Sequence, residues 1–266
     1  MEEMPDGRAI ERLALACWPA SQSVQYEGWL LRTHYGGVTK RANSVMTLGR
    51  MPACDPAVWL TEIEAYYRRS GLLPCYYISD HSPEGLDELL ASHGYRAAYP
   101  CMLKKADGDR LLRASRSNET SSSEIDIELL AVSDERWLDE FLALEQFPIG
   151  RRPAYAKLFA DMPHPKVYLR AVVAGQTAAV GTAVSSEGWT IIYNIVTAEQ
   201  HRRKGAASAI MRAVAEWSQR QGAERLLLQV LRDNQPAIAM YEQLGFRLFC
   251  LQHYRIHPEE PVPDNG

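Results

Sequence analysis

The chain has 266 residues, 46% hydrophobic, 23% charged and 9% aromatic, with a formal net charge of -4 at pH 7. That leaves room for two small domains with cores of their own, gives no bulk attraction to nucleic acid, and contains no run near the ~18 apolar residues of a membrane span. Five scattered cysteines (Cys17, Cys54, Cys75, Cys101, Cys250) make no C-x-x-C pair and no zinc-like spacing with the seven histidines, so the expectation is a reduced, cytoplasmic, metal-free protein.

In chain order, the N-terminus starts acidic and then shows helical apolar spacing, unlike a secretory signal. A helix is expected over 56–70, ended by Gly71, then a strand over 74–79, a helix over 83–93 ended by Gly94, and a strand over 95–104. A polar, serine-rich stretch at 107–122 reads as an exposed linker between domains 1–106 and 123–266. The segment 145–166 is rich in turn residues and carries Arg151 and Arg152 side by side. Further on, TIIYNIVT (190–197) reads as a strand, 205–221 as an amphipathic helix stopped by Gly222, and RLLLQVL (225–231) as a buried parallel strand. Asn234 caps a last helix with Pro236 in its first turn, Gly245 ends it, and 246–256 is a final strand.

The order helix, glycine, strand, helix, glycine, strand thus occurs twice. Gly71 and Gly222, Gly94 and Gly245, Asn43 and Asn194, and Gly37 and Gly188 each lie 151 residues apart, which reads as a duplication needing no gap.

The chemistry concentrates before the 205–221 helix. A helix N-terminus has unpaired N–H groups and a partial positive charge, so Asp or Glu usually sits there. Here stand Arg202, Arg203 and Lys204, followed by the small Gly205, Ala206 and Ala207. Three cations at the positive end of a dipole are unfavourable unless an anion joins them, and the small residues let a phosphate approach the backbone. A solvated basic turn is the alternative reading of these residues alone. No P-loop and no G-x-G-x-x-G fingerprint occurs.

Arg202-x-x-Gly205-x-Ala207, between a strand and a helix, resembles the Q/R-x-x-G-x-G/A signature of GNAT acetyltransferases. Asn234, Ala237, Tyr241, Leu244, Gly245 and Phe246 follow that family's second motif, and the resemblance covers about 124–256. It implies an α/β (α+β) fold of two GNAT-like domains, each a mixed, mostly antiparallel sheet flanked by helices. It also implies acetyl-CoA as co-substrate, with the pyrophosphate on the amides of Arg202 to Ala207 and the pantetheine arm along Ile195, Val196 and Thr197. Asn234 is a further cofactor contact or simply a cap. Tyr241 would hydrogen-bond or protonate the departing thiolate, and otherwise is a packed helix tyrosine. The strand bearing Asn194 lacks the carboxylate that many relatives use as general base; Glu145, Tyr193, His253 and water are the candidates, Glu145 favoured because the helical segment before the first crossover commonly lines the acceptor site.

Carried back by 151 residues, the motif lands on Met51, Cys54 and Pro56, and Tyr241 lands on Leu90. Asp55 before Pro56 is a self-sufficient helix start that would repel phosphate, so the first half reads as a degenerate copy without coenzyme A. The acceptor is expected to be a small-molecule or peptide primary amine, acetylated directly in a ternary complex, with no nucleic acid or membrane partner. A silent coenzyme A sensor, or an interaction protein using its first domain, are the readings from other classes.

Overall fold

The computed structural model describes residues 6–117 and 125–261. Their contacts divide the chain into two units: one runs to Met102 and resumes at Cys250, and the other is Leu103–Phe249.

The first unit holds α1 (Gly7–Ala16), β1 (Gln22–Tyr26), β2 (Trp29–Thr33), β3 (Val45–Met46), α2 (Pro56–Arg69), β4 (Cys75–Ser79), α3 (Leu86–Ser92) and the first part of β5 (Arg96–Asp107). Its sheet order is β1-β2-β3-β4, antiparallel except for the β3/β4 pair. Beside β4 lies the chain's last strand, β11 (Arg247–Ile256), antiparallel, with Tyr254 opposite Tyr77. Because alternate strand residues face opposite sides, Trp29, Leu31 and Tyr76 meet Trp59 and Ile63 of α2 in one core. Trp29 and Trp59 touch edge to face at 5.1 Å.

The second unit continues with α4 (Gly108–Ser117), β6 (Ile125–Leu130), α5 (Glu135–Leu144), α6 (Arg152–Asp161), β7 (Lys166–Val173), β8 (Gln176–Ser186), β9 (Trp189–Thr197), α7 (Ala206–Arg220), β10 (Arg225–Leu231) and α8 (Gln235–Gln243). Strands β6 to β9 are consecutive and antiparallel, and β10 returns parallel to β9, as the crossover through α7 requires. Each unit is thus a mixed, mostly antiparallel sheet flanked by helices.

Part of the stretch read as a linker folds as α4. Leu111 is wholly buried, and the Gly108 N–H bonds to the Glu224 carbonyl at 2.8 Å. Polar composition hid a helix that Leu111 anchors; the remainder of that stretch, 118–122, lies outside the described residues.

The repeat holds where a shared cause exists. Gly71, Gly94, Gly222 and Gly245 all have positive φ, and each ends its helix with the same pair of backbone bonds, as in Phe246 N–H to Tyr241 O (2.9 Å) and Gly245 N–H to Glu242 O (3.0 Å). The other two matches are not equivalent. Gly188 turns the β8–β9 hairpin, whereas Gly37 lies in a 3-10 turn between β2 and β3. Asn194 has φ 56°, but Asn43 has φ -130° and accepts from the His34 N–H at 2.7 Å. The parallel pairs explain why: Val45 faces Tyr76, 31 positions on, while Ile191 faces Leu227, 36 positions on. The first copy is five residues shorter between its parallel strands, so the gapless register fails ahead of α2.

Candidate functional site

Strand β9 is built to part from its neighbour. It pairs with β10 only from Trp189↔Arg225 to Ile192↔Leu228, although both strands continue. On its other side the pairing with β8 slips by one residue between Val180 and Thr182, a bulge that puts Asn194 at φ 56°. A bulge bends and twists its strand. Gly181 lies opposite, and a Cβ there would come within 2.7 Å of Ile195 and 2.8 Å of Ile210, so this glycine lets α7 pack close behind the bulge. Along Ile195, Val196 and Thr197, alternate residues therefore present backbone N–H and C=O groups on the side of β9 that β10 does not use.

The segment after β9 carries the basic turn. Arg202, Arg203, Lys204 and Gly205 are all exposed, while Ala206 is buried and Ala207 half-buried. Arg203 (φ 60°) and Gly205 (φ 88°) are left-handed, a conformation that turns successive amides outward. Gly205 is the N-cap of α7, no side chain caps this end, and its first turn holds no acid. Among the described residues no side chain accepts from the amides of this first turn. Asp55 caps α2 through the Ala57 N–H (2.8 Å) and Asp134 caps α5 through the Trp137 N–H (2.7 Å), whereas α6, like α7, starts without a side-chain cap.

Helix α8 follows β10, so it starts at the same end of the strands as the basic turn after β9, the two strands being parallel. Asn234 is its N-cap and accepts from the Ala237 N–H at 3.2 Å. Tyr241 is 5% exposed, packs edge to face on Phe246 at 5.7 Å, and bonds to no described side chain. Burial pushes its phenol well above the ordinary tyrosine range, so it stays protonated. The next residue, Glu242, ties α8 down through the buried ammonium of Lys104 at 2.7 Å.

Glu145 is the C-cap of α5, followed by Gln146 at φ 56°. Phe147 N–H to Leu142 O (2.9 Å) and Gln146 N–H to Ala143 O (3.1 Å) fix that end. Helix α5 packs on β8 and β9 and is clamped through Glu140, which takes the buried Arg170 at 2.6 Å. The Glu145 carboxyl has no cation beside it among the described residues, and desolvation raises it above the usual carboxylate range.

The other sequence candidates take different places. His253 belongs to the first unit, bonded to Asp87 at 2.8 Å, and Tyr193 is buried on β9 opposite Thr182. Arg151 stacks on Phe147 at 5.0 Å and Arg152 pairs with Asp139 at 2.6 Å, which gives both a local structural use. The 145–166 segment is largely helical, as a 3-10 turn and then α6. Gly181 and Lys104 were not singled out in the sequence. For Gly181 the signal was there, a lone glycine inside an apolar strand run. A cavity of about 490 Å³ in the first unit includes Arg12 and Arg32 in its lining, but both guanidinium groups bond to backbone carbonyls, Arg32 to Leu15 O at 2.8 Å, and no acid or base completes a reactive set there.

Over residues 5–256 the sequence matches the family described as "Probable histone acetyltransferase Rv0428c C-terminal". The chain belongs to this family. It is similar to the uncharacterized N-acetyltransferase YobR of Bacillus subtilis (strain 168), 38% identical over 253 residues, 95% of this chain and 99% of the relative. In fold it resembles the GCN5-related N-acetyltransferase from Kribbella flavida, with a TM-score of 0.72 at 15% identity, covering 97% of this chain and 98% of the other. It also resembles a tandem GNAT protein from the clavulanic acid biosynthesis pathway, with a TM-score of 0.62 at 15% identity, covering 82% and 76% respectively. The chain is thus a GNAT acetyltransferase of the tandem type, and the parted strands with the uncapped α7 mark its second unit as the candidate site.

Proposed function

We propose that this protein is an acetyl-CoA-dependent N-acetyltransferase that acylates a primary amine directly, in a ternary complex, at the second unit. The observation that carries the reading is the α7 N-terminus: uncapped, flanked by Arg202, Arg203 and Lys204, and open to an anion. Those amides suit the pyrophosphate of coenzyme A, with Ala206 and Ala207 too small to obstruct it. The free edge at Ile195, Val196 and Thr197 suits pantetheine, whose two amides can add to it like a strand. Asn234, besides capping α8, is a polar contact at the same end.

The thioester supplies the acyl group. Glu145 takes a proton from the ammonium, which frees a lone pair to attack the carbonyl carbon. The C–N bond forms, the C–S bond breaks with the electron pair passing to sulfur, and the second nitrogen proton goes to solvent. A backbone N–H at the bulged end of β9 would stabilise the transient oxyanion. Tyr241 donates a hydrogen bond to the departing thiolate. A phenol pushed upward by burial keeps its proton against a thiolate, which favours hydrogen bonding over complete transfer. The first unit, whose α2 is already capped by Asp55 and which has the buried Leu90 in the place of Tyr241, would serve as scaffold or acceptor-binding partner.

The test is thiol release from acetyl-CoA across a panel of amines, with coenzyme A binding followed by calorimetry. Turnover with at least one amine and saturable binding are expected. Failure of coenzyme A to bind at saturating concentration overturns the reading, and binding without turnover on any amine overturns its enzymatic half.

A further inference from the structure

Glu11 of α1 is wholly buried, and no lysine or arginine accompanies it among the described residues. Four groups converge on its carboxylate instead. Ser79 Oγ donates to Oε1 at 3.1 Å, Cys250 Sγ donates to Oε1 at 3.5 Å, and Tyr77 OH donates to Oε2 at 2.5 Å. His81 Nδ1 also bonds to Oε1. The ligand atoms of Glu11, His81 and Cys250 all lie within 4.8 Å of one another, and all three residues belong to the first unit.

We propose that Glu11, His81 and Cys250 form a zinc site, separate from the acetyl-transfer site and independent of its assignment. The donor set is one thiolate, one imidazole and one carboxylate, which selects zinc over the oxygen-preferring magnesium and calcium. Charge decides the matter energetically. A lone buried carboxylate is costly, whereas carboxylate, thiolate and neutral imidazole carry two negative charges that cancel Zn²⁺. Geometry agrees: Zn–O of ~2.1 Å and Zn–S of ~2.3 Å in a tetrahedron place neighbouring donors roughly 3.5 Å apart. Glu11 and Cys250 are already 3.5 Å apart. On binding, the Cys250 thiol proton leaves to solvent as the Zn–S bond forms, the Nδ1 proton of His81 moves to Nε2 through solvent so that the ring stays neutral, and the hydrogen bond between Glu11 and His81 is exchanged for two bonds to the metal. Water takes the fourth position. Tyr77 and Ser79 then hold the carboxylate in its orientation through their hydroxyls. The metal would join α1, the turn after β4 and β11, three places some 70 and 170 residues apart in the sequence, which is why no local spacing announced it.

The full-length chain, stripped with a chelator, is titrated with zinc alone by calorimetry and with cobalt(II) by absorption spectroscopy. One metal per chain is expected, with proton release, a rise in melting temperature and a thiolate-to-cobalt charge-transfer band. Cys250→Ser abolishes that band, and Cys250→Ser and His81→Gln each weaken zinc at least tenfold, while Cys54→Ser, at an exposed thiol, changes nothing. Absence of stoichiometric zinc binding by the unaltered protein overturns the proposal whatever the variants do. So does undiminished binding in both Cys250→Ser and His81→Gln.

Discussion

A carboxyl raised by desolvation alone is useful as a base and a burden to the fold, and Glu145 should show both. Its carboxyl titrates above the usual carboxylate range, so the base form appears only as pH rises through that raised value. The expected kcat/KM profile therefore has an acidic limb displaced upward, and Glu145→Gln should lose that limb along with roughly a hundredfold or more of rate. The stability effect has the opposite sign. The folded state holds this proton more tightly than the unfolded state, so the contribution of Glu145 is fully present below its unfolded pKa and fades as pH climbs through the folded one. Glu145→Gln should accordingly melt higher than the unaltered protein at neutral pH and no higher in acid, as calorimetric scans at two pH values would reveal. On the proposed role, Tyr241→Phe removes one hydrogen bond to a charged leaving group, worth about 1.5–3 kcal/mol, so kcat should drop roughly tenfold to a hundredfold with KM for acetyl-CoA little changed. Unaltered turnover in that variant would leave Tyr241 as a packing residue.

At the level of elements, coenzyme A binding should depend on a helix end kept free of protein acids. Lys204→Glu would supply the carboxylate that the sequence withholds, and coenzyme A affinity should fall by about tenfold, near 1.4 kcal/mol, with a weaker dependence on salt. Isothermal titration at two ionic strengths measures both quantities. Gly181→Ala tests the bulge: a methyl 2.7 Å from the Ile195 side chain and 2.8 Å from that of Ile210 forces those side chains, or the β9 and α7 backbones that carry them, to shift, at a cost of about 1–3 kcal/mol read from denaturant unfolding. These elements differ in how visibly they were written in the sequence. Strand 225–231 and the Asn234-capped helix were legible because apolar period and cap chemistry are local properties. The basic turn was legible because it breaks the usual charge preference of a helix start. The α3 start was not: its N-cap is Gly85 in a left-handed conformation with no capping side chain, so the helix opens at Leu86 rather than near Pro83. Nor was the five-residue shortening of the first copy, since a gapless offset aligns glycines without knowing which turn each one makes.

At the level of the whole molecule, what periodicity leaves unsaid is the neighbour. The alternation in 246–256 announces a strand but not its partner, and its later part, Gln252 to Ile256, is hydrogen-bonded to β4 of the first unit. There Tyr254 and Ile256, 4% and 1% exposed, pack with Leu15, Met46 and Tyr77, and Tyr254 meets Tyr77 edge to face at 5.9 Å. The first unit thus depends on the far end of the chain for a strand and for part of one of its cores. Ending the protein after Phe249 should therefore damage the residues most distant in sequence. Burial of two large side chains at about 1.5–3 kcal/mol each, together with one side of the β4 ladder, is a large share of a stability near 5–15 kcal/mol. Amides of Cys75 to Ser79 should lose protection from hydrogen exchange by orders of magnitude, while those of β7 and β8, whose partners all lie before residue 198, should keep most of theirs. Equal loss in both sets would mean that the two units unfold as one cooperative body, and unchanged protection at β4 would mean that its pairing with β11 contributes little.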